Sequence, residues 1–302
     1  MSLWAVHISD GILTTEVTLL GFVLAGALAL VGLFRLREEE VPRIALLTAA
    51  FFIVSLIHIR IGPTSVHLLL SGLLGVILGR KVALAIPLGL TLQMILVAHG
   101  GFSTIGVNSC VLVLPALLIG ALFRRLYRQE WTSRASIRSV ILGMSLLLWL
   151  LGLVFSVALL VTNADRNGEL RLDSAKDVTN HPITIASILL LAGFLVWHDR
   201  RRRLVPEHTL GLLLGIVAVM LSATLNTLVL LYGGLASMKV PALAVLVVHL
   251  PIAVLEGVIL SFTVAFLAKV KPELLGLESS ETPTVPTFTG ESTCAPASSS
   301  SV

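Results

Sequence analysis

Polar and apolar positions along this chain separate into long blocks; they do not alternate residue by residue. Nine apolar blocks stand out: Val17–Phe34, Ile44–His58, Val66–Gly79, Val82–Ala98, Cys110–Phe123, Val140–Val161, Ile183–Trp197, Leu210–Leu231 and Val240–Leu267. Eight carry no charge, and the ninth holds one acid, Glu256. Most blocks are long enough, or nearly so, for a helix to cross a hydrocarbon layer about 30 Å thick. The third is short. Its 14 residues cover roughly 20 Å at helical rise, so it either tilts little or begins below the surface. Gly62 and Pro63 break the chain before it.

Composition agrees with the pattern. Hydrophobic residues make up 56% and charged residues 13% of 302 positions, with a mean hydropathy of +0.99, against about 25% charge in ordinary soluble domains. The runs are uninterrupted, unlike the alternating segments of roughly ten residues that build outer-membrane barrels. The expected fold is therefore an all-α integral membrane protein of about nine transmembrane helices. Sixteen of the 21 Lys and Arg follow odd-numbered blocks, and cationic loops stay in the cytoplasm. This predicts an N-terminus outside and a C-terminus inside, for a multi-pass protein of the cell (inner) membrane. The net charge of +4 then reflects orientation in a lipid bilayer and implies no nucleic-acid partner. Residues 1–16 contain no Lys or Arg, so they lack the basic start of a secretory signal and read as retained. Residues 1–270 read as one polytopic membrane domain. Residues 271–302, rich in Ser, Thr, Pro and Glu beyond Glu273, read as a disordered cytoplasmic tail. Cys110 and Cys294 are too few and too differently placed for a disulfide framework.

This topology sends His7, His58, His67, His99 and His181 to the outer side, with His249 about 14 Å below the start of its span. Neutral imidazole is the usual side-chain ligand of late first-row metals. One interfacial histidine is ordinarily an amphipathic residue with a wet nitrogen. Four at one face, three of them beside Gly-rich turns, make a divalent-metal site an equal reading. His181, in a long polar loop, and His198 and His208, beside an arginine cluster, keep the ordinary one. The turn Ala98–Asn108 (AHGGFSTIGVN) places Gly100, Gly101 and Gly106 among Ser103, Thr104 and Asn108. Such chemistry between two spans suits a loop folded into a cavity.

Four stretches, HISDGIL (His7–Leu13), GPTSVHLLLSGLLGVILG (Gly62–Gly79), the AHGGFSTIGVN turn and HLPIAVLEG (His249–Gly257), resemble the signatures of the CbiM/NikM family. Its members are substrate-capturing subunits of energy-coupling factor (ECF) transporters for cobalt and nickel. The resemblance spans about Val6–Leu126 and Leu210–Leu267. It implies an S component that captures Co2+ or Ni2+ as cargo without a resident cofactor. Separate ATPase subunits and a transmembrane coupling subunit would drive it, with room for a small accessory membrane subunit. It also implies His7 and His67 as imidazole ligands, with Ser65, His99, Gly100, Gly101, Thr104 and Asn108 around the ion. The family takes further nitrogens from a free terminal amine and the amide of an adjacent histidine. Six residues precede His7 here, so without trimming His58 or His99 would supply the missing nitrogen. Seven helices are family-like, and a pair at about 139–204 reads as inserted, which preserves orientation. An acid that the family often carries in its penultimate span is replaced here by the Ser222–Asn226 stretch.

His249 and Glu256 lie seven residues apart, on one helix face. An intramembrane acid marks function by default, which offers an ion relay. A carboxyl that pins helices or meets a partner is the favoured reading, because no second span carries an acid. That same scarcity weighs against the alternative, a self-sufficient secondary divalent-metal permease. No HExxH pair supports a metalloenzyme, and no GxxxxGK[ST] loop supports ATP hydrolysis by this chain. The expectation is a non-enzymatic transport subunit.

Overall fold

The computed structural model of the protein describes residues 4–5, 7–57, 59–61, 64–128, 193, 206–235 and 239–277. Helices dominate. They are α1 (Thr15–Leu33), α2 (Val41–Ser55), α3 (Ser71–Leu78), α4 (Val82–Val97), α5 (Ile105–Arg128), α6 (Pro206–Gly233) and α7 (Lys239–Val270). Among the described residues, five stretches are long and apolar enough to cross a bilayer: Thr15–Leu33, Ser71–Val97, Ile105–Tyr127, Glu207–Gly233 and Val248–Val270. The protein is a multi-pass membrane protein. The blocks at Val140–Val161 and Ile183–Trp197, with the whole expected insertion, lie outside the described residues apart from Gly193.

The exposed side chains show what surrounds the bundle. On α1, Leu19, Val23 and Leu30 are each more than 60% exposed, as are Ile95 and Leu96 on α4. An aqueous surface would not tolerate so continuous an apolar face, whereas lipid tails suit it. With no hydrophobic force to join helices in lipid, close contact relies on small residues. Gly75 of α3 and Gly120 of α5 meet backbone to backbone, and a Cβ on Gly75 would lie 2.0 Å from the Ala116 carbonyl oxygen. Likewise Gly215 of α6 faces Gly257 of α7, where an added Cβ would sit 2.6 Å from the Gly257 Cα. Helix α5 is central, packing against α1, α3, α4 and α6.

The third apolar block differs from the helix expected over Val66–Gly79. Its first part is extended, and α3 occupies only Ser71–Leu78, about 12 Å of rise. Strand β1 (Trp4–Ala5) pairs in parallel with β3 (Thr64–Val66), which pairs antiparallel with β2 (Ile59–Ile61), in the order β1-β3-β2. This small sheet is an addition to the expected all-helical architecture. The first residues of the expected tail, up to Leu277, are among the described residues, and the rest of it lies outside them. Residues Pro272–Leu275 form a 3-10 turn, and the Leu275 side chain is buried in a cluster with Phe123, Leu210 and Val264.

At the end of the bundle opposite the sheet, the ammonium of Lys81 lies 3.5 Å from Glu40 and donates to the Phe34 carbonyl at 3.2 Å. Lys81 is 3% exposed, so this pairing ties the junctions α1–α2 and α3–α4 together.

Candidate metal centre

The sheet brings two distant histidines side by side. In the parallel pair Trp4 is in register with Thr64 and Ala5 with Ser65. Two residues further along each chain come His7 and His67. Neighbouring strands run about 4.8 Å apart, and the two imidazole centroids are 4.9 Å apart. His99 joins from the end of α4, with centroids 5.1 Å from His7 and 5.6 Å from His67, and both rings meet it edge-on. One ring nitrogen from each of the three lies within 4.8 Å of the others. His7 and His67 are buried and His99 is partly exposed. Three imidazoles so placed could hold a metal ion, and the open side at His99 leaves a route to it.

Local hydrogen bonds decide which nitrogens are available. Nδ1 of His67 stands 2.9 Å from the Leu68 carbonyl oxygen. A carbonyl only accepts, so Nδ1 carries the proton and Nε2 keeps its lone pair. After Leu68 the chain turns through Leu70, which is left-handed at φ 48 and ψ 12. Such a conformation costs a side-chain-bearing residue roughly 1–2 kcal/mol, and the surroundings must compensate for it. His99 is positioned similarly: Ala98, at φ 51, ends α4, and the amides of Ala98 and His99 both donate to the Gln93 carbonyl.

The segment carrying His7 is held by the turn after α4. The Asn108 side-chain amide grips the Ile8 peptide on both sides, accepting from its N–H and donating to its carbonyl, each at 3.0 Å. Thr104 donates to the same carbonyl at 2.5 Å. Both side chains are buried, and they replace the ladder that a strand partner would have supplied. Gly100 and Gly101 complete the turn. Gly100 is left-handed at φ 85, and a Cβ there would approach the His7 Cβ at 3.7 Å. A Cβ on Gly101 would meet the Asp10 amide and carboxylate at 2.5 Å.

Asp10 is the residue that sequence reasoning missed. Its carboxylate accepts from the Phe102 amide at 3.0 Å, the Ser103 amide at 2.7 Å and the Ser103 hydroxyl at 2.5 Å. The Ser103 hydroxyl chiefly, with the two amides adding to it, holds its pKa below the ordinary carboxylate value, against an opposing effect of burial that outweighs either amide alone. The available signal was an acid three residues after His7 together with Ser and Thr just ahead of a helix, a common anchoring pair.

The remaining predicted residues separate clearly. Ser65 lies in β3 opposite Ala5 and Arg60, and His58 lies outside the described residues. His249 is buried in α7, its Nδ1 proton donated to the Val245 carbonyl at 2.5 Å; it is not one of the three clustered histidines. Glu256 is 3% exposed, and its Oε1 accepts from the amides of Leu69 and Leu70, the latter at 2.9 Å. Among the described residues no other group of three metal-binding side chains occurs.

The chain has relatives among known proteins. "Putative metal transport protein" of Haemophilus influenzae is 47% identical over 118 residues, covering 39% of this chain and 57% of that protein. "Putative fused nickel transport protein NikMN" of Archaeoglobus fulgidus is 30% identical over 117 residues, 38% of this chain and 40% of its own. "Cobalt transport protein CbiM" of Geobacter sulfurreducens is 25% identical over 219 residues, 66% of this chain and 60% of its own. The chain thus spans between 40% and 60% of the length of these relatives. The family model CbiM, described as the cobalt uptake substrate-specific transmembrane region, matches residues 7–178 and 179–274. With nearly the whole chain matched, beginning at His7 itself, this membrane protein belongs to the CbiM family.

Proposed function

We propose that this chain is the substrate-capture component of an ATP-driven ECF-type transporter that imports cobalt or nickel ions. The observation that carries the reading is the convergence of His7, His67 and His99 at one end of a membrane bundle, with ring nitrogens within 4.8 Å. Neutral nitrogen donors suit late first-row ions, whereas Mg or Ca would call for oxygens. His7 and His67 serve as ligands, and His99 completes or covers the site. Gly100, Gly101, Thr104 and Asn108 keep the His7 segment in place. The names of the relatives support the cargo, since they include cobalt and nickel transport proteins.

The distribution of Lys and Arg supports capture from outside, with nine spans and a cytoplasmic C-terminal tail. ATP hydrolysis belongs to partner subunits, because the sequence holds no phosphate-binding loop. A transmembrane coupling subunit passes the work to this chain, and a small accessory membrane subunit is compatible with the same scheme. Cells expressing the chain with such partners take up radiolabelled Co2+ or Ni2+ in an ATP-dependent way, and cells expressing it alone do not. Strong gradient-driven uptake by the lone chain would instead establish a secondary permease.

A further inference from the structure

We infer that Glu256 is a positioning residue for His67: through its carboxylate oxygen, α7 sets the conformation of the segment that presents this imidazole. The inference rests on the metal reading above and names a residue that holds the site without touching the ion.

The geometry starts two helices away. Gly215 of α6 lets α7 approach until the Glu256 carbonyl oxygen and the Gly257 Cα are 2.9 and 2.6 Å from where a Cβ would stand. This contact fixes where along α7 the Glu256 side chain leaves the helix. From there the carboxylate reaches the start of α3, where a single oxygen, Oε1, accepts from both the Leu69 and Leu70 amides. Leu70 is the N-cap of α3 and Leu69 precedes it, so neither amide finds a partner within the helix. No side chain from α3's own chain start caps it. A side chain from another helix therefore supplies the acceptor at the start of α3.

The consequence for His67 follows from distance along the chain. Leu69 is two residues from His67, a separation of at most about 7 Å, and every residue between is buried or half-buried. Leu70 holds its left-handed conformation where the extended segment becomes helix. With Oε1 in place the 67–70 segment is held, and the His67 Nδ1 proton stays directed at the Leu68 carbonyl oxygen. Removing the acceptor leaves two buried amides without a partner and a strained residue without support. The segment then relaxes, and His67 leaves the common point it shares with His7 and His99. Glu256 also lies on a different element from all three histidines, so a displacement of α7 against α3 would strain these two bonds. That gives the bundle a direct means to loosen the cargo.

Both bonds go to one oxygen, so the role requires reach and an acceptor, not a charge. Glu256→Gln keeps the acceptor, Glu256→Asp shortens the reach, and Glu256→Ala removes it. Titration of the purified full chain with Ni2+ or Co2+ is expected to give Gln within about threefold of the parent, with the same ligand-field spectrum. Asp and Ala are expected to lose at least about tenfold in affinity, at the 1.4 kcal/mol per tenfold conversion, with a shifted spectrum. Metal-free hydrogen exchange of residues 67–72 supplies an independent reading: faster in Asp and Ala, unchanged in Gln. Parent-like affinity and exchange in Asp or Ala would overturn the inference, as would a Gln variant as impaired as Ala. If the parent shows no metal-specific response, or His67→Ala binds metal as the parent does, while exchange still follows the reach of residue 256, the metal reading fails and the positioning of the segment stands.

Discussion

The two ends of the α3–α7 contact are built on different principles. Below it, α6 and α7 lie along one another through glycines and apolar side chains, 28 and 32 residues long, each with its hydrogen bonds satisfied internally. Above it, the histidine-bearing segments 7–10, 64–70 and 98–104 are mostly not helical. Outside the short sheet and the Gln93 carbonyl, their backbone groups find partners individually in a few side chains: Asn108, Thr104, Asp10 and Glu256. In hydrocarbon, irregular backbone persists only where protein satisfies it. The helices supply redundancy, and the histidine end depends on single residues. Substitutions in the helices should therefore be felt as loss of the whole fold, and substitutions at the other end as loss of binding in a protein that still folds.

The largest effect tests the helical side. Gly75→Val places atoms into the Ala116 carbonyl, 2.0 Å from where a Cβ would stand; neither backbone can yield cheaply. The expected outcome is no monodisperse protein after detergent extraction, measured by size-exclusion chromatography. A well-folded Gly75→Val protein would show that the helices are not in backbone contact.

Next in size, His67→Ala should abolish binding of Ni2+ or Co2+, seen by calorimetric titration, while melting and chromatographic behaviour remain those of the parent. Loss of folding together with binding would erase the distinction between the two regions. Asn108→Ala should be intermediate. It strips two hydrogen bonds from the buried Ile8 peptide, at about 1–3 kcal/mol for an unsatisfied buried group. Roughly tenfold weaker metal binding is expected, with a modest fall in melting temperature, because Thr104 still serves the Ile8 carbonyl.

The smallest effect belongs to Asp10. Its pKa is lowered in the folded protein from 3.8, so its contribution to stability is complete above the unfolded value and disappears as pH falls through the folded one. The residue is exposed, which keeps that contribution small. The melting temperature of the parent should fall more steeply than that of Asp10→Asn as pH drops below about 4, by differential scanning fluorimetry. Equal slopes would show that the carboxylate does not anchor the Phe102–Ser103 turn.

Much of this contrast is visible in the residues themselves, but unevenly. The long uncharged blocks read directly as membrane helices because a helix in lipid needs only apolar length and internal hydrogen bonds. The Val66–Gly79 block read as one more helix, since composition is similarly apolar in the extended residues before α3 and in α3 itself. Periodicity does not separate a short buried strand from a helix segment. That His7, His67 and His99 belong at one end could be inferred from alternation of the loops alone. The exact placing could not, because a parallel strand pair between residues 4–5 and 64–65 has no local signature.

The Asp10 anchor and the Glu256 cap share that fate. A carboxylate's partner amides, 92 or 186 residues away, leave no mark in the sequence, since any residue but proline offers the same N–H. The chain alone therefore determined the solvent this protein lives in, its helical character and the kind of ligand atom it offers, all properties of side-chain chemistry summed over short stretches. Only the tertiary structure decided which backbone groups those side chains hold and which ring nitrogens meet, because both depend on distances between segments that the order of residues does not encode.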